Sequence, residues 1–223
     1  MLNLQAPIIY LITSGEMTEA ASNPASEDFR RILALIRAAV EARVELVQIR
    51  EKNLHARTLY ELTARAAAIT RGSRTRLLVN DRADIARAAH ADGVHLTTRS
   101  LPASIIRRTF GGDLLIGVSA HSLPEALDAR AGGADFATFG PVFETPSKRA
   151  YGPPAGLAAL AGAARRLAGF PLIALGGLTR ENAPDALRAG AGGVAAIRLF
   201  DDPRSLSATV RALRGEPSAS KQC

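Results

Sequence analysis

The sequence predicts a single (β/α)8 barrel, and three observations support that prediction. Short apolar, β-rich runs alternate eight times with stretches that show the helical spacing of apolar residues. Each helical crossover returns the chain in the same direction, so the sheet must be parallel. The 223 residues are enough for one such barrel, and no domain break interrupts the alternation. An open, doubly wound parallel sheet is the alternative architecture.

The predicted elements follow one another as strand and helix pairs. Strands are expected at residues 8–12, 45–49, 76–79, 93–96, 114–118, 135–139, 171–175 and 193–197. Helices are expected at residues 26–40, 54–70, 83–91, 102–109, 124–131, 157–167, 181–189 and 203–213. Ser26 is the expected N-cap of the first helix. One barrel domain is therefore predicted over residues 1–214, followed by a flexible polar tail at residues 215–223.

Composition excludes several classes of protein. No apolar run approaches the roughly 20 residues that span a bilayer, and the N-terminus lacks a basic region followed by an apolar stretch. A soluble, cytoplasmic protein with no membrane partner is expected. The single cysteine, Cys223, excludes an intramolecular disulfide, and the four histidines show no metal-ligand spacing that would indicate structural zinc.

The net charge of +7 comes from arginines spread through the helices, while the chain has only seven Phe, three Tyr and no Trp for stacking on bases. This pattern favours anionic small molecules over nucleic acid as partners. Lysine occurs only at positions 52, 148 and 221. Against such an arginine bias, Lys52 and Lys148 indicate sites that need a compact ammonium group.

The loop after the sixth predicted strand, residues 139–156, is long for a compact domain, and long ordered loops usually carry function. It contains Thr145, Ser147 and Lys148, two hydroxyl donors and a cation that suit an anionic ligand such as phosphate. An ordinary solvated loop is the alternative interpretation.

Polar residues also follow the second predicted strand, at the end where barrels of this kind place their active sites. In Gln48-Ile-Arg50-Glu-Lys52, alternation puts Gln48, Arg50 and Lys52 on one side at the barrel mouth. Two cations and an amide that converge there suit a diphosphate. A solvated rim of the barrel is the alternative.

The third predicted strand leads into Asn80 and Asp81, an amide and a carboxylate. Oxygen ligands of this kind suit Mg²⁺, which needs only one or two protein carboxylates when the substrate supplies phosphates. On local grounds a helix N-cap is the competing explanation, because a helix is expected immediately afterwards.

Four of the remaining predicted strands end in the same way. The strand-7 glycines, Gly176 and Gly177, would let backbone amides approach a phosphate at a helix N-terminus. Arg198 ends the eighth strand, close to the usual phosphate position of such barrels. The polar residues of the fourth and fifth strands are His95, Ser119 and His121.

Taken together and in order, these motifs resemble the thiamine phosphate synthase family and its relatives, the TenI-type thiazole tautomerases. The resemblance covers nearly the whole chain, from Tyr10 to about Pro203. Its segments are Gln48-Ile-Arg50-Glu-Lys52, Val79-Asn80-Asp81, Asp92-Gly-Val-His95, Gly117-Val-Ser119-Ala-His121, Phe139-Gly-Pro-Val-Phe-Glu-Thr145-Pro-Ser147-Lys148 and Ala174-Leu-Gly176-Gly177.

The resemblance implies a transferase that couples hydroxymethylpyrimidine diphosphate to a thiazole phosphate, with Mg²⁺ as cofactor and pyrophosphate as the leaving group. It implies that Gln48, Arg50, Lys52 and Asn80 hold the pyrimidine diphosphate and that Asp81 ligates the metal. It assigns Ser119 and Lys148 to the leaving pyrophosphate, and Thr145, Ser147 and Gly177 to the thiazole substrate. We place His95, Gly176 and Arg198 among the substrate-binding residues and His121 among the catalytic ones.

Departures from the family pattern keep two alternatives open. Synthases usually carry a second acidic metal ligand shortly after the fourth-strand Gly-x-His, and this chain has Ser100 near the expected acid. The tautomerase branch uses a histidine that matches His121 to move protons. That branch, however, tends to lose the glutamine and the Asn-Asp pair, which this chain keeps. We therefore favour the synthase over the tautomerase. A non-catalytic phosphate-ligand binding or regulatory protein is the second alternative, and a homo-oligomer is allowed in each case.

Overall fold

In the part of the chain that the structure describes, eight short strands pair in parallel, each with the next along the chain, and the eighth pairs back with the first. The structure is a computed structural model, and it describes residues 7–18, 23, 25–145 and 153–217. The closed parallel barrel with alternating helices confirms the predicted fold class.

The strands are β1 (Ile8–Ile12), β2 (Leu46–Ile49), β3 (Arg76–Asn80), β4 (Gly93–Leu96), β5 (Leu115–Ala120), β6 (Phe136–Phe139), β7 (Leu172–Leu175) and β8 (Gly193–Ala196). The helices are α1 (Glu27–Glu41), α2 (Ala56–Thr70), α3 (Ala83–Ala88), α4 (Ala103–Phe110), α5 (Leu123–Ala131), α6 (Gly156–Arg166), α7 (Ala183–Arg188) and α8 (Pro203–Leu213). A 3-10 helix at Arg198–Phe200 lies between β8 and α8. Of the helices described, none has both the length and the apolar character needed to cross a membrane.

Alternating side chains on the strands build two separate cores. Ile9 and Leu11 of β1 join the large core that packs against the helices. Ile8, Tyr10 and Ile12 belong to a second core inside the barrel. The other members of this inner core include Leu46, Leu78, Leu115, Phe136, Ile173 and Ala195. Because the side-chain period of a strand is two, the residues two positions after these apolar ones also face inward, toward the carboxyl end of the barrel.

Side-chain caps are present at the starts of three of the described α-helices, namely α1, α5 and α8. Ser26 caps α1 as predicted, since its hydroxyl accepts a hydrogen bond from the Phe29 amide at 3.2 Å. The start of α7 differs from the prediction at residue 181, because Asn182 accepts a hydrogen bond from the Thr179 amide at 2.8 Å and forms a turn instead. Helix α7 therefore begins only at Ala183.

Three strand ends also differ from the prediction, and the first of them is β3, which continues by one residue to Asn80. Strand β5 continues to Ala120, which places Ser119 inside a strand. Strand β8 ends at Ala196, so Arg198 starts the 3-10 helix rather than ending a strand. At the C-terminus, α8 ends at Leu213, while residues 218–223 lie outside the described part. The division into a barrel and a flexible tail stays a prediction.

The amino end of the barrel is closed by ion pairs around a buried carboxylate. Glu45 accepts hydrogen bonds from the Ile9 amide at 2.8 Å and from Arg214 at 2.6 Å, which ties the end of α8 to the sheet. Burial raises the pKa of Glu45, although the Ile9 amide and the Arg214 guanidinium oppose the shift. A cavity of about 1230 Å³ opens at this end, where Asp92 and Asp135 also pair with arginines. These contacts hold the barrel together at the end opposite the predicted site.

Candidate active site

Four of the predicted site residues meet inside the carboxyl end of the barrel. Gln48 of β2 and Asn80 of β3 are joined by a hydrogen bond of 3.0 Å between Nε2 and Oδ1. His95 of β4 and Ser119 of β5 are joined at 3.0 Å between Nε2 and Oγ. Strands β2, β3, β4 and β5 are consecutive neighbours in the barrel, and parallel pairing aligns their carboxyl ends. Their contact with substrate stays a prediction.

Tyr10 of β1 connects the two pairs, and the sequence interpretation missed it. Its hydroxyl lies 3.0 Å from Gln48 Oε1 and 3.0 Å from His95 Nδ1. The available signal was weak, because Tyr10 is simply one inward position of an apolar strand. Tyr10 is fully buried and His95 is 3% exposed, so His95 lies behind Ser119 and not at the surface of the mouth.

The side chains of Tyr10 and His95 are both uncharged near neutral pH. Burial lowers the pKa of His95 to about 3, because no water reaches the imidazolium to solvate it. The same desolvation raises the pKa of the Tyr10 phenol well above its ordinary value. A neutral imidazole has one donor nitrogen and one acceptor nitrogen, so His95 donates on one side and accepts on the other.

Arg50 lies just past the end of β2, beneath the loop that follows β1. It is half-buried, and its Nη1 donates to the Ser14 carbonyl oxygen at 3.3 Å while its amide donates to the Thr13 hydroxyl at 2.9 Å. Gly15 crosses so close that a Cβ there would lie 2.8 Å from Arg50 Nη1. The sequence interpretation placed Arg50 at the mouth but did not identify the loop that packs on it.

The buried carboxylate of Glu51 fixes that loop. It is 2% exposed and accepts hydrogen bonds from the Thr13 hydroxyl at 2.6 Å, the Gly15 amide at 3.2 Å and the Met17 amide at 3.0 Å. Glu51 lies in the predicted Gln48-to-Lys52 motif, yet we did not single it out. Lys52 is exposed, and its grouping with Gln48 and Arg50 around a diphosphate stays a prediction.

Asp81 follows β3 in the left-handed backbone region, with φ of 61°. This conformation is uncommon outside glycine, and it occurs here in a residue type that tolerates it. The alternative N-cap interpretation of Asp81 is wrong, because Arg82 holds the cap position and α3 has no side-chain cap hydrogen bond. The Asp81 side chain is exposed at the carboxyl end of the barrel.

Binding of a metal by Asp81 stays a prediction, and the described residues offer it few partners for that purpose. Ser100 Oγ accepts from the Thr97 amide at 2.7 Å and lies 3.1 Å from Thr97 Oγ1, so it closes a local turn. Among the residues described, no group of three or more His, Cys, Asp or Glu side chains is arranged to hold an ion. One carboxylate fits Mg²⁺ only when phosphate oxygens complete the coordination shell.

His121 lies just beyond β5 with an exposed ring. Its Nδ1 contacts the Gly140 carbonyl oxygen, which can only accept, so Nδ1 carries a hydrogen and donates it. In the neutral ring the acceptor lone pair is then on Nε2. The main-chain amide of His121 donates to Glu125 at 2.7 Å and so links the strand end to α5.

The loop after β6 runs against the two glycines after β7. The Phe143 amide donates to the Gly176 carbonyl oxygen at 3.1 Å. A Cβ on Gly177, whose φ is 66°, would lie 2.5 Å from the Glu144 carbonyl oxygen. The glycines are therefore required for this close packing, and α7 begins only at Ala183, which is not directly after them. Their contact with phosphate stays a prediction.

The structure describes fewer contacts for the remaining predicted site residues. Thr145 is half-buried in the β6 loop, whereas Ser147 and Lys148 lie outside the described residues. Arg198 is exposed at the start of the 3-10 helix. The structure thus brings Gln48 into contact with Asn80 and His95 into contact with Ser119, and it joins the two pairs through Tyr10. The role of every predicted site residue stays a prediction.

Comparison with known proteins gives consistent matches over most of the chain. The family model described as thiamine monophosphate synthase matches residues 10–200. A putative thiamine-phosphate synthase from Geobacter sulfurreducens is 48% identical over 187 residues, which are 82% of this chain and 87% of that protein. A thiamine-phosphate synthase from Chloroflexus aurantiacus is 36% identical over 214 residues, 96% of this chain and 94% of that one. The solved structure of thiamine phosphate pyrophosphorylase from Pyrococcus furiosus superimposes with a TM-score of 0.75 at 29% identity, covering 94% of this chain and 95% of that one.

Proposed function

Because the chain belongs to the thiamine monophosphate synthase family, we propose that it is a transferase that joins hydroxymethylpyrimidine diphosphate to a thiazole phosphate. The carbon–oxygen bond to the diphosphate breaks, and both electrons leave with pyrophosphate. The thiazole nitrogen then donates the electron pair of the new carbon–nitrogen bond. The amino group of the pyrimidine supplies electron density that stabilises the methylene cation between these two events.

The observation that carries the proposal is the hydrogen-bonded pair of Gln48 and Asn80 at the carboxyl end of the barrel, with Asp81 directly after it. A tautomerase has no diphosphate and no metal to hold, so it has no use for this amide pair beside an exposed carboxylate. The pair therefore favours the synthase over the tautomerase.

Some side chains at the barrel mouth bind the substrate diphosphate, and others assist the departure of pyrophosphate. Arg50 and Lys52 supply positive charge for the diphosphate, and Arg50 is held in place by the β1 loop. Ser119 offers a hydroxyl to the leaving pyrophosphate, and Lys148 adds a cation from the β6 loop. Thr145, Ser147 and Gly177 belong to the thiazole side of the site. Positioned donors of this kind stabilise charge as it develops on a leaving group.

Mg²⁺ is the cofactor of this proposal, with Asp81 as its protein ligand and diphosphate oxygens as the others. When bound there, the ion would supply positive charge that offsets the negative charge on the departing pyrophosphate. A single exposed carboxylate supports a metal that enters together with the substrate, since Ser100 stands near where the second acid is expected and its hydroxyl accepts a hydrogen bond from the Thr97 amide.

A second candidate is the thiazole tautomerase, and one observation favours it. The donation from His121 Nδ1 to the Gly140 carbonyl leaves a lone pair on Nε2, as a proton-transfer catalyst needs. A coupling assay with purified protein, both substrates and Mg²⁺, repeated with EDTA, tests the two functions. Pyrophosphate release that stops with EDTA supports the synthase. Isomerisation of thiazole phosphate without pyrimidine or metal supports the tautomerase, and substrate-induced thermal stabilisation without either reaction supports a binding protein.

A further inference from the structure

One unbroken chain of hydrogen bonds runs through the barrel from β3 to β5. It passes from Asn80 to Gln48, to Tyr10, to His95 and to Ser119, and each of its four links measures 3.0 Å. Asn80 and Ser119, the two ends, are half-buried, while the three inner members are buried. The ends thus reach toward the mouth, and the middle is shut off from water.

Each of the three inner residues donates a hydrogen bond on one side and accepts one on the other. The donor and acceptor of one hydrogen bond therefore determine those of the next. The Tyr10 hydroxyl has one hydrogen, so it donates to Gln48 or to His95 but not to both. The His95 ring is 3% exposed and meets one hydroxyl at each nitrogen, so as a neutral imidazole it donates from one nitrogen and accepts at the other. The Gln48 amide presents its oxygen to one neighbour and its nitrogen to the other, and rotation by 180° exchanges them. The donors can therefore point along this series of hydrogen bonds either from Ser119 toward Asn80 or from Asn80 toward Ser119. All four hydrogen bonds form in both cases.

With the amides as placed in the structure, Tyr10 donates to Gln48 Oε1 and Gln48 donates to Asn80 Oδ1. His95 then donates from Nδ1 to Tyr10, and Ser119 donates inward to His95 Nε2. In the reverse direction, His95 donates from Nε2 to Ser119 Oγ. The Ser119 hydroxyl then keeps its hydrogen but points it toward the barrel mouth. Asn80 then donates to Gln48, and its oxygen lies on the side away from Gln48.

We propose that Tyr10 and His95 are positioning residues that couple the two ends of this chain, so that Ser119 donates to a ligand only when Asn80 accepts from one. The inference rests on the proposed function. Diphosphate oxygens only accept, so a diphosphate at Ser119 selects the reverse direction. Asn80 then offers an acceptor, which matches the amino group of the pyrimidine. The chain thereby selects a substrate that has an amino donor and a diphosphate acceptor together.

The surrounding packing holds both rings in place. A Cβ on Gly117 would lie 2.7 Å from His95 Nδ1 and 2.3 Å from the Phe136 ring, so only glycine leaves room for them. Tyr10 meets the edge of Phe136 at 5.6 Å between ring centroids, with an interplanar angle of 85°. Because the two rings cannot turn to other partners, a change of direction moves only the hydrogens of Tyr10, His95 and Ser119 and turns the amides of Gln48 and Asn80 by 180°.

The protonated nitrogen of His95 gives a direct test in the wild-type chain. The protein is labelled with ¹⁵N-histidine, saturated with pyrophosphate and Mg²⁺, and examined by NMR, with His95 assigned by its loss in His95→Gln. We expect the bound state to carry the hydrogen on Nε2. A hydrogen on Nδ1 in the pyrophosphate-bound protein would overturn the proposal.

Tyr10→Phe tests the coupling, because it removes one hydroxyl and keeps the ring. We expect kcat/KM for the aminopyrimidine diphosphate to fall about tenfold and the preference over an analogue with an oxo group in place of the amino group to narrow by a similar factor. A purely structural role would lower the Tm and leave that preference unchanged, and this result would count against the coupling. Tyr60→Phe, at an exposed phenol on α2, is the matched control.

The two experiments separate this inference from the proposed function. If the wild-type protein does not couple the substrates, the proposed function fails, and the NMR measurement with pyrophosphate still decides the direction of the chain. If coupling is normal but His95 keeps its hydrogen on Nδ1, only the inference fails. The NMR result also decides the matter if Tyr10→Phe does not fold.

Discussion

The hydroxyl of Thr13 donates a hydrogen bond to the buried carboxylate of Glu51, with 2.6 Å between Oγ1 and Oε1. The same hydroxyl oxygen accepts from the Arg50 amide at 2.9 Å. One threonine therefore links the loop after β1 to the residues after β2, and the position of the Arg50 guanidinium depends on that loop.

Glu51→Gln should destabilise the protein and weaken diphosphate binding together. An amide nitrogen would face donors from Thr13, Gly15 or Met17, and leaving such buried donors unsatisfied costs about 1–3 kcal/mol of the free energy of unfolding. Urea unfolding and the KM for the pyrimidine diphosphate measure both effects. Glu41→Gln, at an exposed site on α1, is the control, and equal stability of the Glu51 and Glu41 variants would contradict the role of Glu51.

The effects of Arg50→Ala and His121→Asn on activity should distinguish the synthase from the tautomerase. If the synthase proposal is right, Arg50→Ala lowers kcat/KM by about 10² or more, as expected for losing a cation that stabilises a leaving group. His121→Asn should keep coupling activity within about tenfold, because the reaction needs no strong base. Arg57→Ala removes a highly exposed arginine from α2 and serves as the control. An inactive His121→Asn beside a nearly unaffected Arg50→Ala, measured by thiazole isomerisation, would indicate a tautomerase.

Ser100→Asp should strengthen the binding of Mg²⁺ to the free protein by at least about tenfold, since it adds a second carboxylate near the mouth. The new carboxylate can still accept the Thr97 amide that Ser100 Oγ accepts at 2.7 Å, so the turn should survive. Isothermal titration with Mg²⁺ measures the change, and Ser100→Asn is the uncharged control. Tight Mg²⁺ binding by the wild-type apoprotein would rule out a metal that enters with the diphosphate.

The stability of the protein should fall in acid through His95. Its pKa is lowered from 6.5 to about 3 in the folded state, so between these values the unfolded chain binds a proton that the folded protein does not. The free energy of unfolding contributed by His95 is therefore fully present above pH 6.5 and is lost as the pH falls toward about 3, by at most about 1.4 kcal/mol per pH unit.

Urea unfolding of wild type and His95→Gln across this range isolates that contribution. The difference in stability between the two proteins should shrink as the pH decreases. His90→Asn replaces an exposed histidine and serves as the control for a histidine that is not buried. A difference between wild type and His95→Gln that stays constant with pH would show that His95 is not buried in its neutral form.

Gly177→Ala should disturb the loop after β6. The new methyl group would lie 2.5 Å from the Glu144 carbonyl oxygen and 2.7 Å from that of Phe143, in a backbone conformation with φ of 66°. We expect a stability loss of about 1–3 kcal/mol from strain and overpacking, with lower activity because Thr145 lies in that loop. Gly162→Ala is the contrasting control, since a Cβ placed there in α6 meets no atom within 4 Å beyond its chain neighbours and the backbone of its own helix. A Tm of Gly177→Ala at or above that of Gly162→Ala would refute the packing role.

The order of the strands and helices, and the end of the barrel that carries the polar groups, can be predicted from the amino-acid pattern alone. Alternating strand and helix patterns dictate parallel strands, and Gln48, Asn80 and Ser119 were recognisable because they follow apolar inward positions at strand ends. Ser26 was recognisable as a cap because a cap is a local hydrogen bond, here to the Phe29 amide three residues later. Signals of this kind depend on neighbours within a few residues, so one chain segment contains all the information.

The contacts between these polar groups, in contrast, follow from the closed barrel and are not visible in the sequence. Tyr10 and His95 are 85 residues apart, and their contact exists because the closed barrel brings β1 and β4 together across its interior. Glu51 gained its role in the same way, from a loop 34 to 38 residues earlier in the chain. The physical reason is that strand periodicity fixes the direction of a side chain, whereas barrel closure and strand register fix the partner it meets there.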